Sequence, residues 1–149
     1  MAEEPRKRVR DEEVVATVVQ VILEEGTVAS QTRLAQLVNK RLPRRAARVT
    51  PERVRVLAVK SGLVGLQIRT RAGGPTPDMT TCPVCRARLK RTANRTLTGA
   101  ATSTGYKCSR CPWWTGRELR VPQHYVFQAR VSRGERDAQT SFVARQRRL

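Results

Sequence analysis

Two Cys-x-x-Cys motifs constrain the fold of this chain more than any other feature of its sequence. They are Cys82-Pro-Val-Cys85 and Cys108-Ser-Arg-Cys111, and 22 residues separate them. Two such pairs at this distance are typical of a zinc site, because each pair forms a tight turn that directs both sulfurs at one tetrahedral ion. Four thiolates complete the coordination shell, so we predict one structural Zn²⁺ rather than a catalytic one.

Three other uses of the four cysteines fit the sequence less well than zinc does. Disulfides form in oxidising compartments, and the N-terminal sequence MAEEPRKRVRDEE has no apolar segment typical of a secretory signal. A redox-active Cys-x-x-Cys is normally a single pair in a thioredoxin-like context. Four cysteines can also hold an iron–sulfur cluster, but the spacing within and between the pairs favours zinc.

The sequence around the cysteines predicts short strands. Thr, Arg and small residues fill the segment between the two pairs, and the segment RELRVPQHYVFQARV after them has alternating character. The pattern predicts a few antiparallel strands joined through the metal turns. It resembles the zinc-ribbon class, which is common among archaeal and eukaryotic ribosomal proteins and transcription factors.

The first half of the chain predicts helices. Helix-start signals at Asp11, Ser30 and Thr50 begin three predicted helices, which end near residues 26, 43 and 60. A strand with alternating apolar residues follows at 64–71. Three helices and a strand resemble a winged helix, a relative of the helix-turn-helix whose third helix often enters a nucleic-acid groove. The third predicted helix is apolar nearly all round, which indicates burial on two sides or contact with a partner.

The predicted fold class is therefore α+β, with a helical winged-helix-like domain before a small antiparallel zinc ribbon. The predicted segments are a basic N-terminal extension (1–10), a winged-helix-like domain (11–72), a linker (73–78), a zinc ribbon (79–131) and a basic C-terminal tail (132–149).

The charge of the chain predicts a polyanionic partner. Among 149 residues, 30 are Lys or Arg and only 12 are Asp or Glu, which gives a formal net charge of +18. Of the basic residues 25 are Arg, whose planar guanidinium binds phosphate through two hydrogen bonds and stacks on bases. Residues 79–133 contain 11 of the basic residues and a single acid. The predicted nucleic-acid contacts are Arg44, Arg45, Arg48, Arg53, Arg69, Arg71, Arg86, Arg88, Lys90, Arg91, Arg95, Lys107, Arg110, Arg117, Arg120, Arg145, Arg147 and Arg148.

Both tryptophans of the chain, Trp113 and Trp114, directly follow the second cysteine pair. Neighbouring residues of a strand face opposite sides, so one ring can pack inward while the other faces outward and stacks on a base. The competing interpretation is that both rings only cover the metal site.

Several classes of function are disfavoured by what the sequence does not contain. It has no apolar run long enough to cross a membrane, and no nucleotide-binding glycine motif. His124 is the only histidine, and acids are scarce in the basic half, so paired-carboxylate or two-metal chemistry lacks its residues. We expect a cytoplasmic protein that is not an enzyme and has no small-molecule substrate.

The predicted function is binding of ribosomal RNA by a ribosomal or ribosome-associated protein, with RNA and ribosomal proteins as partners. The alternative is a DNA-binding transcription factor that contacts polymerase. A winged helix followed by a zinc ribbon is similar in domain order to the archaeal counterpart of general transcription factor E. A chromatin or antitoxin-like binder is a third, less favoured hypothesis.

Overall fold

Three helices and six strands form the part of the chain that the computed structural model describes, residues 5–130. In chain order they are α1 (Asp11–Glu25), β1 (Thr27–Val28), α2 (Gln31–Arg41), α3 (Pro51–Ser61), β2 (Val64–Pro75), β3 (Leu89–Arg95), β4 (Ala101–Cys108), β5 (Trp114–Thr115) and β6 (Glu118–Ala129). The predicted α+β class is confirmed. The whole predicted basic tail (132–149), with Arg145, Arg147 and Arg148, lies outside the described residues. No helix within residues 5–130 is long and apolar enough to cross a membrane.

The starts of the helices follow from local capping chemistry. The hydroxyl of Ser30 accepts a hydrogen bond from the backbone N–H of Arg33, and the hydroxyl of Thr50 accepts one from that of Arg53. Both side chains thereby satisfy a donor that the first turn of a helix leaves free. Asp11 is the first residue of α1 rather than its cap, a difference of one residue from the prediction. Its carboxylate still lies at the positive end of the helix dipole.

The helices pack around an aliphatic core that one strand completes. The apolar stripe of α1, formed by Val14, Val18, Val21 and Ile22, is fully buried. It lies against Leu34 and Val38 of α2 and Val54 of α3 in one cluster, which also contains the completely buried Phe127 of β6. A residue near the end of the described chain thus belongs to the core of its first half.

The first sheet has the strand order β1-β6-β2, with antiparallel pairing throughout. Strand β2 pairs with β6 along its length, and Leu66 lies opposite Phe127. It continues to Pro75, three residues into the segment predicted as a linker. Strand β6 was predicted as part of the zinc ribbon, but it completes the sheet that covers the helices. The physical reason is that Tyr125 and Phe127 point to one face of the strand, and the helices offer that face an apolar surface.

The second sheet is smaller and has the order β3-β4-β5. It lies between β2 and β6 in the sequence, so the cysteine-containing module (residues 76–117) is inserted within a β2–β6 hairpin rather than appended after it. Gly105 of β4 has a φ angle of 146°, and a Cβ there would lie 1.9 Å from the carbonyl oxygen of Thr115. Only glycine permits this close approach of β4 to β5.

Candidate metal centre and basic surface

The four predicted metal ligands meet at one buried point. The sulfurs of Cys82, Cys85, Cys108 and Cys111 all lie within 4.8 Å of one another. Cys82 Sγ lies 3.6 Å from Cys111 Sγ, and Cys85 Sγ lies 3.5 Å from Cys108 Sγ. A tetrahedral ion with zinc–sulfur bonds of about 2.3 Å requires sulfurs about 3.8 Å apart. The cluster is therefore compatible with a structural four-thiolate zinc site.

The backbone around the sulfurs favours their ionised form. The N–H of Val84 donates to Cys82 Sγ at 3.4 Å. The N–H groups of Arg110 and Cys111 both donate to Cys108 Sγ at 3.4 Å. Hydrogen bonds to a thiolate stabilise it and orient its lone pairs, as outer-shell contacts do around metal ligands. In each cysteine pair, backbone N–H groups of the turn thus donate hydrogen bonds to the sulfur of the first cysteine.

The pKa values of the thiols are linked, because each sulfur lies close to the others. The hydrogen bond with Cys111 lowers the pKa of Cys82 to about 5. Burial raises the pKa of Cys85 to about 12, and the hydrogen bond with Cys82 together with burial raises the pKa of Cys111 well above its ordinary value. A buried thiolate opposes the ionisation of its neighbours. A divalent ion is what allows all four to be thiolates at once.

A buried arginine of α3 joins the helices to the first metal turn, which is formed by residues 82–85. Arg55 of α3 is 7% exposed, and its Nε donates to the carbonyl oxygen of Val84 at 2.8 Å. Its Nη1 donates to Gln31 Oε1 at 2.7 Å, and its guanidinium lies 4.8 Å from the ring centroid of Tyr125. No carboxylate among the described residues pairs with it. A zinc ion held by the four thiolates would carry a net negative charge, and the Arg55 cation at the same turn would offset it.

The third helix is consequently covered on both sides. Its inner face packs on α1 and α2, and Arg55 ties its other side to the first metal turn. Arg53, a predicted nucleic-acid contact, instead bonds the carbonyl of Val9 at 2.6 Å and the carboxylate of Asp11 at 2.7 Å. The hydrogen bond from Arg53 lowers the pKa of Asp11. The apolar character of α3 in the sequence reflects this double contact.

Most of the predicted nucleic-acid contacts reach solvent. The exposed ones are Arg44, Arg45, Arg48, Arg69, Arg71, Arg86, Arg88, Lys90, Arg91, Arg95, Lys107, Arg110 and Arg117, while Arg53 and Arg120 are half-buried. Within residues 5–130, salt bridges engage only three of these fifteen, Arg53 with Asp11, Arg86 with Glu52 and Arg91 with Asp78. Most of the positive charge on this surface is therefore not neutralised by the protein's own acids.

One basic cluster was not among the predicted contact residues. The N-terminal segment 5–10 runs beside the loop after α2, where Lys7 pairs with Ala46 and the N–H of Ala47 donates to the carbonyl of Lys7 at 2.9 Å. This contact brings the exposed Arg6, Lys7, Arg8 and Arg10 alongside the loop that carries Arg44, Arg45 and Arg48. The run of basic residues at 6–10 is visible in the sequence. Its position beside this loop depends on the pairing of Lys7 with Ala46, about 40 residues further along the chain.

The two tryptophans have different environments. Trp113 is 2% exposed, and its indole N–H donates to the carbonyl of Arg120 at 3.0 Å, so it is part of the core and is not available for stacking. Trp114 is 52% exposed, and the Arg120 guanidinium lies 4.0 Å from the centroid of its ring. The alternation of a strand therefore separates a core tryptophan from a surface one.

A groove of about 640 Å³ lies between the first sheet and the second metal turn, and its lining includes Arg110 and Arg130 but no acid and no histidine. His124 is exposed on β6, opposite Arg69 of β2. Comparison of the chain with protein-family models, with curated proteins and with solved structures gives no match.

Proposed function

We propose that this chain is a non-enzymatic RNA-binding protein, and specifically a ribosomal or ribosome-associated protein that contacts ribosomal RNA. The observation that carries the proposal is the largely exposed positive charge of residues 64–130, where salt bridges engage only Arg86 and Arg91. This part of the chain has 12 basic residues and only two acids, Asp78 and Glu118. An unneutralised surface of this density is favourable only where a polyanion replaces the missing counter-charges.

In the proposed architecture, the helices and the first sheet form a winged helix, and the cysteine module is a zinc ribbon inserted at the tip of its wing. The support is the order of elements, three helices with a short strand after the first and a long hairpin after the third. Zn²⁺ on the four cysteines would fix the ribbon without taking part in any reaction. The ribbon fixed in this way would present the exposed arginines and lysines to the RNA.

RNA is favoured over duplex DNA by the state of α3. In a groove-reading winged helix this element inserts into the major groove. Here the first metal turn lies against α3, because the carbonyl of Val84 in that turn accepts a hydrogen bond from Arg55 of the helix. Arg53 of the same helix is paired with Asp11. The exposed charge lies instead on strands and loops, a distribution suited to contacts with phosphate and irregular RNA surfaces. A DNA-binding transcription factor therefore remains the alternative outcome of the tests below.

The cellular test is sedimentation of a native lysate through a sucrose gradient at low and at high salt, with detection of this chain. Co-migration with a ribosomal subunit that survives high salt is expected for a stable cytoplasmic ribosomal component. Recovery on chromatin or with polymerase, and absence from ribosomal fractions at both salt concentrations, would support the transcription alternative and contradict the proposal.

The biochemical test removes three basic side chains in or beside β3 that form no salt bridge within residues 5–130. A variant with Arg88, Lys90 and Arg95 changed to Gln should bind RNA more weakly and lower the slope of log affinity against log salt by about two to three. The control changes Arg33, Lys40 and Lys60 to Gln, which removes equal charge from exposed positions of α2 and α3.

The comparison of these two variants separates a defined contact surface from general attraction. Equal losses in both would show that only the net charge matters. An unchanged affinity in the first variant would exclude this strand from the contact surface.

A further inference from the structure

The second sheet places an exposed aromatic ring in a row with two lysines. Lys107 of β4 lies opposite Lys90 of β3 on one side and opposite Trp114 of β5 on the other. Residues directly opposite in a sheet share a face, so the three side chains form one row across three strands. All three are exposed.

This row is unfavourable for the protein alone. Like charges directly opposite each other in a sheet repel, and none of the salt bridges among residues 5–130 involves Lys90 or Lys107. A large ring with half its surface in water adds a second cost. Both costs would be removed by one ligand that carries an anionic group for the lysines and a flat apolar group for the ring.

The surroundings of Trp114 leave room for such a ligand. A hollow of about 310 Å³ is lined by Thr92, Lys107 and Trp114 among others, and Arg120 is not part of its lining. A second hollow of about 280 Å³ contains Arg120 and Trp114. Arg120, whose guanidinium is stacked on the indole, lines the second hollow and not the first.

We propose that Trp114 is a stacking site for an unpaired base of single-stranded RNA, with the adjacent phosphate bound between Lys90 and Lys107. The proposal rests on the RNA-binding function proposed above and names its ligand. A cation on one side of an aromatic ring and a base on the other is a favourable arrangement, because the ring faces carry negative charge. A base within a duplex is already stacked and cannot occupy the site.

The test measures binding of the full zinc-loaded chain to a labelled RNA of about 12 nucleotides, built only from A and C so that it stays unpaired. The same RNA in a duplex, and a version with abasic sugars at central positions, serve as comparison ligands with similar backbones. Trp114→Leu should lower the affinity for the unpaired RNA by roughly five- to 150-fold and leave duplex affinity nearly unchanged. The matched control is Leu97→Ala, which removes another exposed apolar side chain of the same module.

The abasic RNA separates stacking from a loss of structure. The abasic RNA should bind the natural protein as weakly as the intact RNA binds the Trp114→Leu variant. The affinity of the abasic RNA should then be the same for the variant as for the natural protein. Lys107→Gln provides a second variant that keeps the ring and should lower the salt slope by about one. If Trp114→Leu binds the intact RNA as well as the natural protein does, the stacking site is refuted while RNA binding stands. If the natural protein binds none of the RNAs, both proposals fail.

Discussion

Replacing Arg55 by Met would remove the guanidinium that links the metal turn to the helices while keeping an unbranched side chain of similar length. Two short hydrogen bonds would be lost, to the carbonyl of Val84 at 2.8 Å and to Gln31 at 2.7 Å. The contact of the cation with the ring of Tyr125 at 4.8 Å would be lost as well. We therefore expect the helices and the metal module to become less strongly coupled.

The size of the effect follows from these contacts. Each hydrogen bond from a charged donor contributes about 1.5–3 kcal/mol, and the carbonyl left buried without a partner adds its own cost. Removing a buried cation also recovers the free energy spent on its desolvation, which offsets part of the loss. The expected decrease in the free energy of unfolding is about 2–4 kcal/mol.

The measurement is urea unfolding of the zinc-loaded chain, followed in parallel by helical circular dichroism and by zinc release to a chromophoric chelator. The two transitions should coincide in the natural protein, as expected for one cooperative unit. In Arg55→Met zinc release should precede the loss of helix. The control is Arg33→Met on α2, an exposed arginine whose replacement should change stability by less than about 0.5 kcal/mol. Equal stabilities for the two variants, with coincident transitions, would refute the coupling role of Arg55.

Substitutions at three further positions test local features of the cysteine module. Cys108→Ser should abolish tight zinc binding and unfold the second sheet, measurable as lost zinc stoichiometry and lost chemical-shift dispersion; a folded module without metal would contradict the structural site. Arg86 has a φ angle of 63°, so Arg86→Gly should exceed Arg86→Ala in stability by about 1 kcal/mol, because both lose the ion pair with Glu52 and only Gly removes the strain. Gly105→Ala should lower the thermal midpoint by several degrees, since its Cβ would overlap the backbone of Thr115; an unchanged midpoint would mean that β5 does not pair there.

Features encoded over a few residues could be predicted from the sequence. The spacing within each cysteine pair predicted the cluster, since a tight turn brings both sulfurs together without help from the rest of the fold. Caps at Ser30 and Thr50 predicted the starts of α2 and α3 for the same reason. These signals depend on neighbours within one turn.

Features that depend on distant residues could not be predicted. The period-two pattern around Tyr125 indicates a strand but does not say which sheet it joins, and pairing with β2 spans some 60 residues. The sequence shows Arg55 only as a basic residue of α3, because nothing adjacent to it indicates that the turn at residues 82–85 would cover it. The alternation at Trp113 and Trp114 allowed one buried and one exposed ring without deciding which, and it left open that both rings only cover the metal site.

The insertion of the cysteine module within the β2–β6 hairpin bears on the order in which the chain can fold. During synthesis β2 emerges long before its partner, so the helices have an incomplete sheet until the whole module has been made. Residues 76–117 connect β2 to β6. A metal that joins Cys82 to Cys111 would make the flexible part of this connection about threefold shorter. That lowers the loop-closure cost of pairing them by about 1 kcal/mol, so capture of zinc by the module would accelerate completion of the sheet that covers the helices.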